Sequence, residues 1–355
     1  MNQYNNEKIF IIILNWNGLE DTIACIDSLQ QSKYKNFKIV LIENGSNDNS
    51  ANVLKIMYPE IHVIENKQNL GFCEGNNQGI EYSICNGADF VWLLNNDTIV
   101  LQDTLNLLVE NAKSSPKIGM ISPVIRYNDQ KEKIQYGGCF IDRKRFLLNY
   151  PKKNEEFEYD YTSGENVILW GTALLIRVQV LRDIGLLNSE FFAYWEDVDI
   201  CLRAIEKGYL NIVCTNAVVY HKRKLLPNKK EVPKKGMFYY LFERNYLLLV
   251  KSHSKNLIKR FKNILRGIAI CSSHLKNCPQ KYRYDSILGI WHGLNGNGGY
   301  PNEKKNVPKS FVFIIKIFSH IYPLFLINVL LLDIKMILIH IKKIFNNKEI
   351  RQKSS

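Results

Sequence analysis

Several common signatures are missing from this chain, and each absence narrows what it can do. None of its eight cysteines is followed by another at the Cys-x-x-Cys spacing, which excludes a zinc ribbon or a thioredoxin-like redox site. Most of them sit in apolar runs, as small core hydrophobes do. Residues 1–8 are polar and lack the apolar core of an export signal, so the expectation is a cytosolic N-terminal part with reduced thiols. No internal repeat is visible. No stretch of about 20 residues is apolar enough to read as a membrane span. The nearest candidate, residues 311–332, is interrupted by Lys316, Ser319, His320, Pro323 and Asn328. On a helical wheel Lys316, His320, Asn328, Lys335 and Lys342 share about one third of the circumference, with Pro323 able to break the register. This pattern leaves open a basic amphipathic helix on an anionic membrane and a helix docked on its own domain.

Acidic residues are scarce in one part of the chain only. Residues 222–355 carry 27 Lys and Arg against 6 Asp and Glu, a net of +21; residues 1–221 carry 20 against 28, a net of −8. The overall charge of +13 over 355 residues therefore describes an acidic body followed by a strongly basic region. A uniformly basic nucleic-acid binder does not fit. With 46% hydrophobic and 23% charged residues the chain is a folded protein, long enough for one large domain or two ordinary ones.

What is present begins with alternation of two periods. Residues 9–14, 37–42, 61–64 and 90–94 are apolar runs of strand length, separated by helical spacings over 19–31, 50–58 and 75–86. Non-alternating apolar strands between helices argue for a mostly parallel α/β sheet covered on both faces. Ligands bind such sheets beyond the carboxyl ends of the strands. Those ends carry Asn15-Trp16-Asn17-Gly18, Glu43 to Ser50 and Asn95-Asn96-Asp97, a polar, acidic, glycine-containing rim. Residues 125–165 read as an insertion or long connection. A helix is expected at 196–207 and strands at 210–213 and 217–220, the last ending at His221; basic helical segments follow to residue 355.

Five constellations carry chemistry. In Glu43-Asn44-Gly45-Ser46-Asn47-Asp48-Asn49-Ser50 a carboxylate at a strand end can hold a ribose or base, and Asp48 or Ser50 can cap the next helix. In Asn69-Leu70-Gly71-Phe72-Cys73-Glu74-Gly75-Asn76-Asn77 the glycines let backbone approach a ligand, at a spacing that is not the dinucleotide fingerprint. Asp97 is a hard oxygen ligand for a cation on a diphosphate, or a helix N-cap. Glu196, Asp197 and Asp199 crowd the first turn of a helix behind Phe191-Phe192-Ala193-Tyr194-Trp195. Asp199 is expected to pair with Arg203, while Glu196 and Asp197 can face the cleft and accept a proton from an alcohol. His221 becomes a plausible further metal ligand once an acidic site exists.

In this order the motifs resemble the family 2 glycosyltransferases of the GT-A fold, over residues 8–221, and most of all their rhamnosyltransferase and galactofuranosyltransferase branch. Leu288-Gly289-Ile290-Trp291-His292-Gly293-Leu294 resembles a segment that follows the catalytic domain there. The resemblance implies a catalytic domain at 1–221, a basic helical extension at 222–355, and inverting transfer from a nucleotide-diphosphate sugar to a hydroxyl of a saccharide or lipid-linked saccharide. It implies Asp197 as general base with Glu196 assisting. Asp97 and His221 would hold Mn²⁺ or Mg²⁺, with Asn95 standing where the family's Asp-x-Asp motif has its first carboxylate. Asn15, Asn17, Glu43, Asn44, Asp48, Asn69, Gly71, Asn76 and Asn96 would line the donor pocket, with Trp170 and Trp195 as walls for the sugars. The charge split and the amphipathic run at 311–345, rather than the resemblance, point to the cytoplasmic face of an anionic membrane as the setting, with no nucleic acid involved. Two other readings weigh less. A nucleotidyltransferase needs a basic phosphate-gripping segment, and Asn15 to Gly18 contains no Lys or Arg. A non-catalytic membrane or nucleic-acid binder has the charge, but its helices form no known nucleic-acid motif.

Overall fold

The computed structural model describes residues 7–150, 163–164, 166–222, 236–301, 306–317 and 319. Strand and helix alternate through β1 (Ile9–Asn15), α1 (Leu19–Gln30), β2 (Phe37–Glu43), α2 (Ser50–Met57), β3 (His62–Glu65), α3 (Gly71–Cys85) and β4 (Phe90–Asn95). Next come β5 (Thr98–Val100), α4 (Thr104–Lys113), β6 (Ile118–Tyr127), β7 (Ile134–Tyr136), β8 (Cys139–Asp142), β9 (Leu147–Asn149), β10 (Ser163–Gly164), β11 (Val167–Ile168) and β12 (Ala173–Arg177). Then come α5 (Val178–Ile184), α6 (Glu196–Lys207) and β13 (Leu210–His221); α7 (Gly236–His253), α8 (Leu257–His274) and α9 (Arg283–Asn295) follow.

The main sheet has the order β10-β13-β6-β12-β4-β1-β2-β3. β3, β2, β1 and β4 are parallel, and β12 runs antiparallel between β4 and β6. The parallel strands are apolar without alternation because both faces are covered: Ile9 to Ile13 and Val91 to Leu93 are all buried. Their carboxyl ends lie in register, Asn15 opposite Glu43 and Leu14 opposite Asn95.

Three sequence expectations change. The segment 125–165 is not a plain connection: β8 and β9 join β11 in a small second sheet. Residues 210–221 form one strand, not two, because exposed Thr215 and Asn216 sit in a bulge where the pairing to β6 shifts register. Helix α3 starts at Gly71, a turn earlier than its apolar spacing indicates, because Asn69 Oδ1 accepts from Gly71 N at 2.8 Å.

Helix α7 is built into the same core, with Leu241, Leu247, Leu249 and Val250 buried. It lies close against α9, since a Cβ at Gly293 would stand 2.6 Å from the Arg244 carbonyl and one at Gly289 would overlap that of Tyr240. The segment Leu288 to Leu294 thus serves a close helix–helix contact. No helix among the described residues is long and apolar enough to cross a membrane. Of the basic amphipathic run at 311–345, only 311–317 and 319 lie within the described residues.

Candidate active site

The rim at the strand ends is tied together by amides and carboxylates. Asn15 is fully buried at the end of β1. Its Nδ2 donates to Glu43 Oε2 at 2.6 Å and Ser50 Oγ at 2.8 Å, and its Oδ1 accepts from Thr22 Oγ1 at 2.9 Å and Gly18 N at 3.1 Å. Glu43 also accepts from the Ser46 backbone and hydroxyl. Asp48 is exposed, and its hydrogen bond from the Ser50 hydroxyl lowers its pKa. Asn17 is exposed in a left-handed conformation and accepts from Asn47 N at 2.8 Å. Asn44 holds the next loop: its Nδ2 donates to Asn69 Oδ1 at 3.0 Å and its Oδ1 accepts from Leu70 N at 3.1 Å. Asn76 is buried and donates to the Phe72 carbonyl at 2.8 Å. Asn96 reaches back to Thr22 Oγ1 at 3.0 Å. Asn15, Glu43 and Asn44 thus brace the rim from beneath, while Asn17 and Asp48 stand at its exposed edge.

Asp97 occupies the turn between β4 and β5. Because β5 pairs with β13 so that Thr98 faces His221, the imidazole is carried to that carboxylate. His221 Nε2 lies 3.1 Å from both Asp97 oxygens, and its Nδ1 lies 2.7 Å from Gln135 Oε1. With Gln135 accepting from Nδ1–H, Nε2 is turned to Asp97, where a proton or a cation has to lie between the two groups. Burial pushes the Asp97 carboxyl up, but His221, then Lys222, more than offset it, and the pKa is lowered. A hard oxygen and an imidazole suit Mn²⁺ or Mg²⁺ as two of its donors. No group of three or more His, Cys, Asp or Glu side chains that could hold a metal exists among the described residues, so Asp97 and His221 would leave most coordination positions of a cation to other oxygen donors.

The second cluster stands beside the first. Asn95 N donates to the Thr172 carbonyl at 2.9 Å, and the preceding Gly171 N donates to Asp197 Oδ2 at 3.3 Å. Asp197 Oδ1 accepts from Val198 N at 2.8 Å at the start of α6. Burial nonetheless pushes the Asp197 carboxyl up to about 6. Glu196 is buried more deeply, and burial and then its neighbour Asp197 hold its pKa well above the ordinary value. Among the described residues Glu196 Oε2 and Trp195 Nε1 are buried without a hydrogen-bond partner. Asp199 turns away: it accepts from Arg203 Nε at 2.8 Å, as expected, and lies 2.9 Å from His253 Nε2. Trp170 stacks on Tyr136 with ring centroids 3.9 Å apart, and Tyr150 meets it edge-on. Trp195 packs instead on Phe242 and Tyr246 of α7, at 5.2 and 5.0 Å.

The turn that delivers these acids is strained. Phe192, Tyr194 and Trp195 all have positive φ, a conformation side chains disfavour. Helix α7 holds it there. Asn245 Nδ2 lies 2.7, 2.8 and 2.9 Å from the carbonyls of Phe191, Ala193 and Tyr194. Arg244 donates to Glu190 O at 3.1 Å and Phe191 O at 2.9 Å. From the other side, Phe72 N and Cys73 N donate to Phe192 O. Gly71 is required at that approach, since a Cβ there would stand 2.5 Å from the Phe192 ring. Sequence reasoning missed Gln135, Tyr136, Arg244 and Asn245. The available signal was an Arg-Asn pair inside an apolar helical run, where unpaired polar groups are costly.

Residues 10–185 match the family model described as glycosyl transferase family 2. The N-acetylglucosaminyl-diphospho-decaprenol L-rhamnosyltransferase of Mycobacterium tuberculosis is 23% identical over 266 residues, covering 70% of this chain and 86% of that protein. Among solved structures, S. aureus TarS 1–349 in complex with UDP-GlcNAc has a TM-score of 0.51 at 12% identity, covering 82% of this chain and 81% of that one. GalNAc-T7 with UDP, GalNAc and Mn²⁺ has a TM-score of 0.55 at 16% identity, covering 81% of this chain and 56% of that one. At those identities the structures speak for the fold, which is GT-A. The matched domain and its relatives together make this chain a member of glycosyltransferase family 2.

Proposed function

We propose that the chain transfers a sugar, with inversion, from a nucleotide-diphosphate donor to a hydroxyl of a saccharide or lipid-linked saccharide in cell-surface glycan assembly. The observation that carries this reading is the adjacency of two unlike acids: a depressed carboxyl at Asp97, turned to His221, and a raised one at Asp197, joined through the contacts of Asn95, Thr172 and Gly171. One suits a cation on a diphosphate, the other proton transfer near neutral pH.

The acceptor oxygen attacks the anomeric carbon from the face opposite the diphosphate. Its proton passes to the Asp197 carboxylate, the bond from the anomeric carbon to the diphosphate oxygen breaks, and the nucleoside diphosphate leaves with both bonding electrons. Asp97 and His221 would hold a divalent cation, Mn²⁺ or Mg²⁺, which when bound would neutralise charge on that leaving group. Mn²⁺ in the GalNAc-T7 complex is in keeping with this. Glu196, whose pKa burial and then Asp197 hold well above the ordinary value, stands beside the base as its assisting acid. Glu43, Asn44 and Asn69 shape the nucleoside end, with Asn17, Asp48, Gly71 and Asn96 along the donor cleft, and Trp170 on Tyr136 offers an aromatic wall for a sugar face. A lipid-linked acceptor is supported by the name of the mycobacterial relative.

Residues 1–221 form the catalytic part in this reading. Residues 222–355 follow as a basic region whose helix α7 braces the catalytic turn and whose charge favours an anionic membrane surface on the cytoplasmic side. The experiment is a screen of sugar nucleotides with Mn²⁺ or Mg²⁺ and saccharide acceptors. Nucleoside diphosphate release that depends on both metal and acceptor supports the proposal; release of pyrophosphate would instead favour a nucleotidyltransferase.

A further inference from the structure

We propose that the first two turns of α8 are the face on which the protein docks to an anionic lipid bilayer. This makes specific the membrane association proposed above and rests on that reading.

Helix α8 has two halves of different character. Towards its C-terminal end Gly267, Ala269, Cys271 and Ser272 are buried, and Gly267 lies against Leu247 of α7. Its N-terminal end stands out from the body, fixed in direction by the Asn256 side chain, which accepts from Ile258 N and Lys259 N. There Leu257 is 81% exposed, Ile258 70%, Phe261 64% and Leu265 37%. At about 100° per residue these four side chains occupy roughly 100° of the helix surface, one continuous apolar stripe. A helix that only covered its own domain would turn this stripe inward; here it faces out.

The flanks of the stripe name the partner. Lys259, Arg260, Lys262 and Arg266 sit on the rest of the circumference, and residues 251–284 contain nine Lys and Arg and no Asp or Glu. Arg266 Nη1 donates to the Lys144 carbonyl at 3.3 Å, which brings the basic turn of Arg143, Lys144 and Arg145 beside the helix. Arg143 and Lys255 pair with Glu206, and Arg145 with Asp142, so the cations that count are those of the helix itself, which carries no acid. A short apolar stripe flanked by them complements a surface that is apolar within and diffusely negative at its edge, as a phosphatidylglycerol-containing bilayer is. The helix at 309–317 repeats the composition, with Phe313 66% and Ile314 47% exposed between Lys309 and Lys316.

Vesicle co-sedimentation of the full chain tests this. Wild-type protein is expected to sediment with vesicles containing phosphatidylglycerol and to stay in solution with phosphatidylcholine alone. The double substitution Ile258→Glu with Phe261→Glu, and separately Lys259→Gln with Lys262→Gln, should each lower partitioning by about tenfold or more. Thermal stability and turnover of donor with a soluble acceptor should be unchanged, because these side chains are exposed and remote from the rim. Wild-type binding by the Ile258→Glu, Phe261→Glu protein would overturn the assignment to α8 and leave the wider membrane reading standing. Absence of wild-type binding, or equal binding to neutral vesicles, would overturn both. A concentration-dependent dimer abolished by the same substitutions would overturn the bilayer in favour of a second copy.

Discussion

His221 Nε2 stands equidistant from the two oxygens of Asp97, at 3.1 Å from each, and the ring is held there by Gln135. In the proposed metal site the amide that orients this imidazole would tune how tightly the cation is held. Gln135→Ala is therefore expected to raise the Mn²⁺ concentration for half-maximal activity by about tenfold or more, with kcat at saturating metal little changed. Metal titration of turnover measures this. An unchanged metal requirement would remove Gln135 and His221 from the metal site.

The pH dependence separates the two acids. Burial raises Asp197 to about 6, while the partners of Asp97 lower that carboxyl below its usual range. As pH falls, Asp197 takes up a proton first and can no longer accept one from the acceptor, while Asp97 is still charged. kcat/KM should fall about tenfold per pH unit below about pH 6. A profile flat down to pH 4.5 would contradict the role given to Asp197.

Asn245 lies within reach of three carbonyls with only two N–H bonds to give, so one of them is shared. Asn245→Ala leaves these acceptors in the strained turn unsatisfied. The expected loss is about 2–4 kcal/mol of stability, and a fall in kcat that exceeds any change in donor binding. Denaturant unfolding and steady-state kinetics together check this; full activity would mean that the turn keeps its shape without α7.

Glu196 makes an opposite prediction for stability. Its pKa is raised on folding, so its contribution is full below the unfolded value of 4.5 and is lost as pH rises towards its folded value. Glu196→Gln does not titrate. The variant should melt above the wild type by about 2 °C or more at pH 8, and the gap should close at pH 4. Equal melting temperatures at both pH values would show that Glu196 is not a strained acid.

The strands were legible in the sequence because burial on both faces leaves continuous apolar runs, as at Ile11, Val40 and Val91, and α6 because its stripe of Val198, Cys201, Leu202 and Ile205 is regular. The rim residues were legible as types: amides and acids directly after strands. Their division of labour was not. Asn15 and Asn44 are spent on neighbouring loops, a fact that depends on which strand ends lie side by side. The second sheet escaped notice because β8, β9 and β11 are too short to show a period. Arg244 and Asn245 lie about fifty residues along the chain from the carbonyls they hold, and only the packing of α7 brings them there.

The central claim is that Asp197 takes the acceptor's proton. The most direct test is Asp197→Asn, assayed for nucleoside diphosphate release with metal, donor and acceptor, beside calorimetric binding of the donor. The expected result is turnover reduced by at least about 10²-fold with donor affinity within a few-fold of wild type. Wild-type turnover in Asp197→Asn would contradict it.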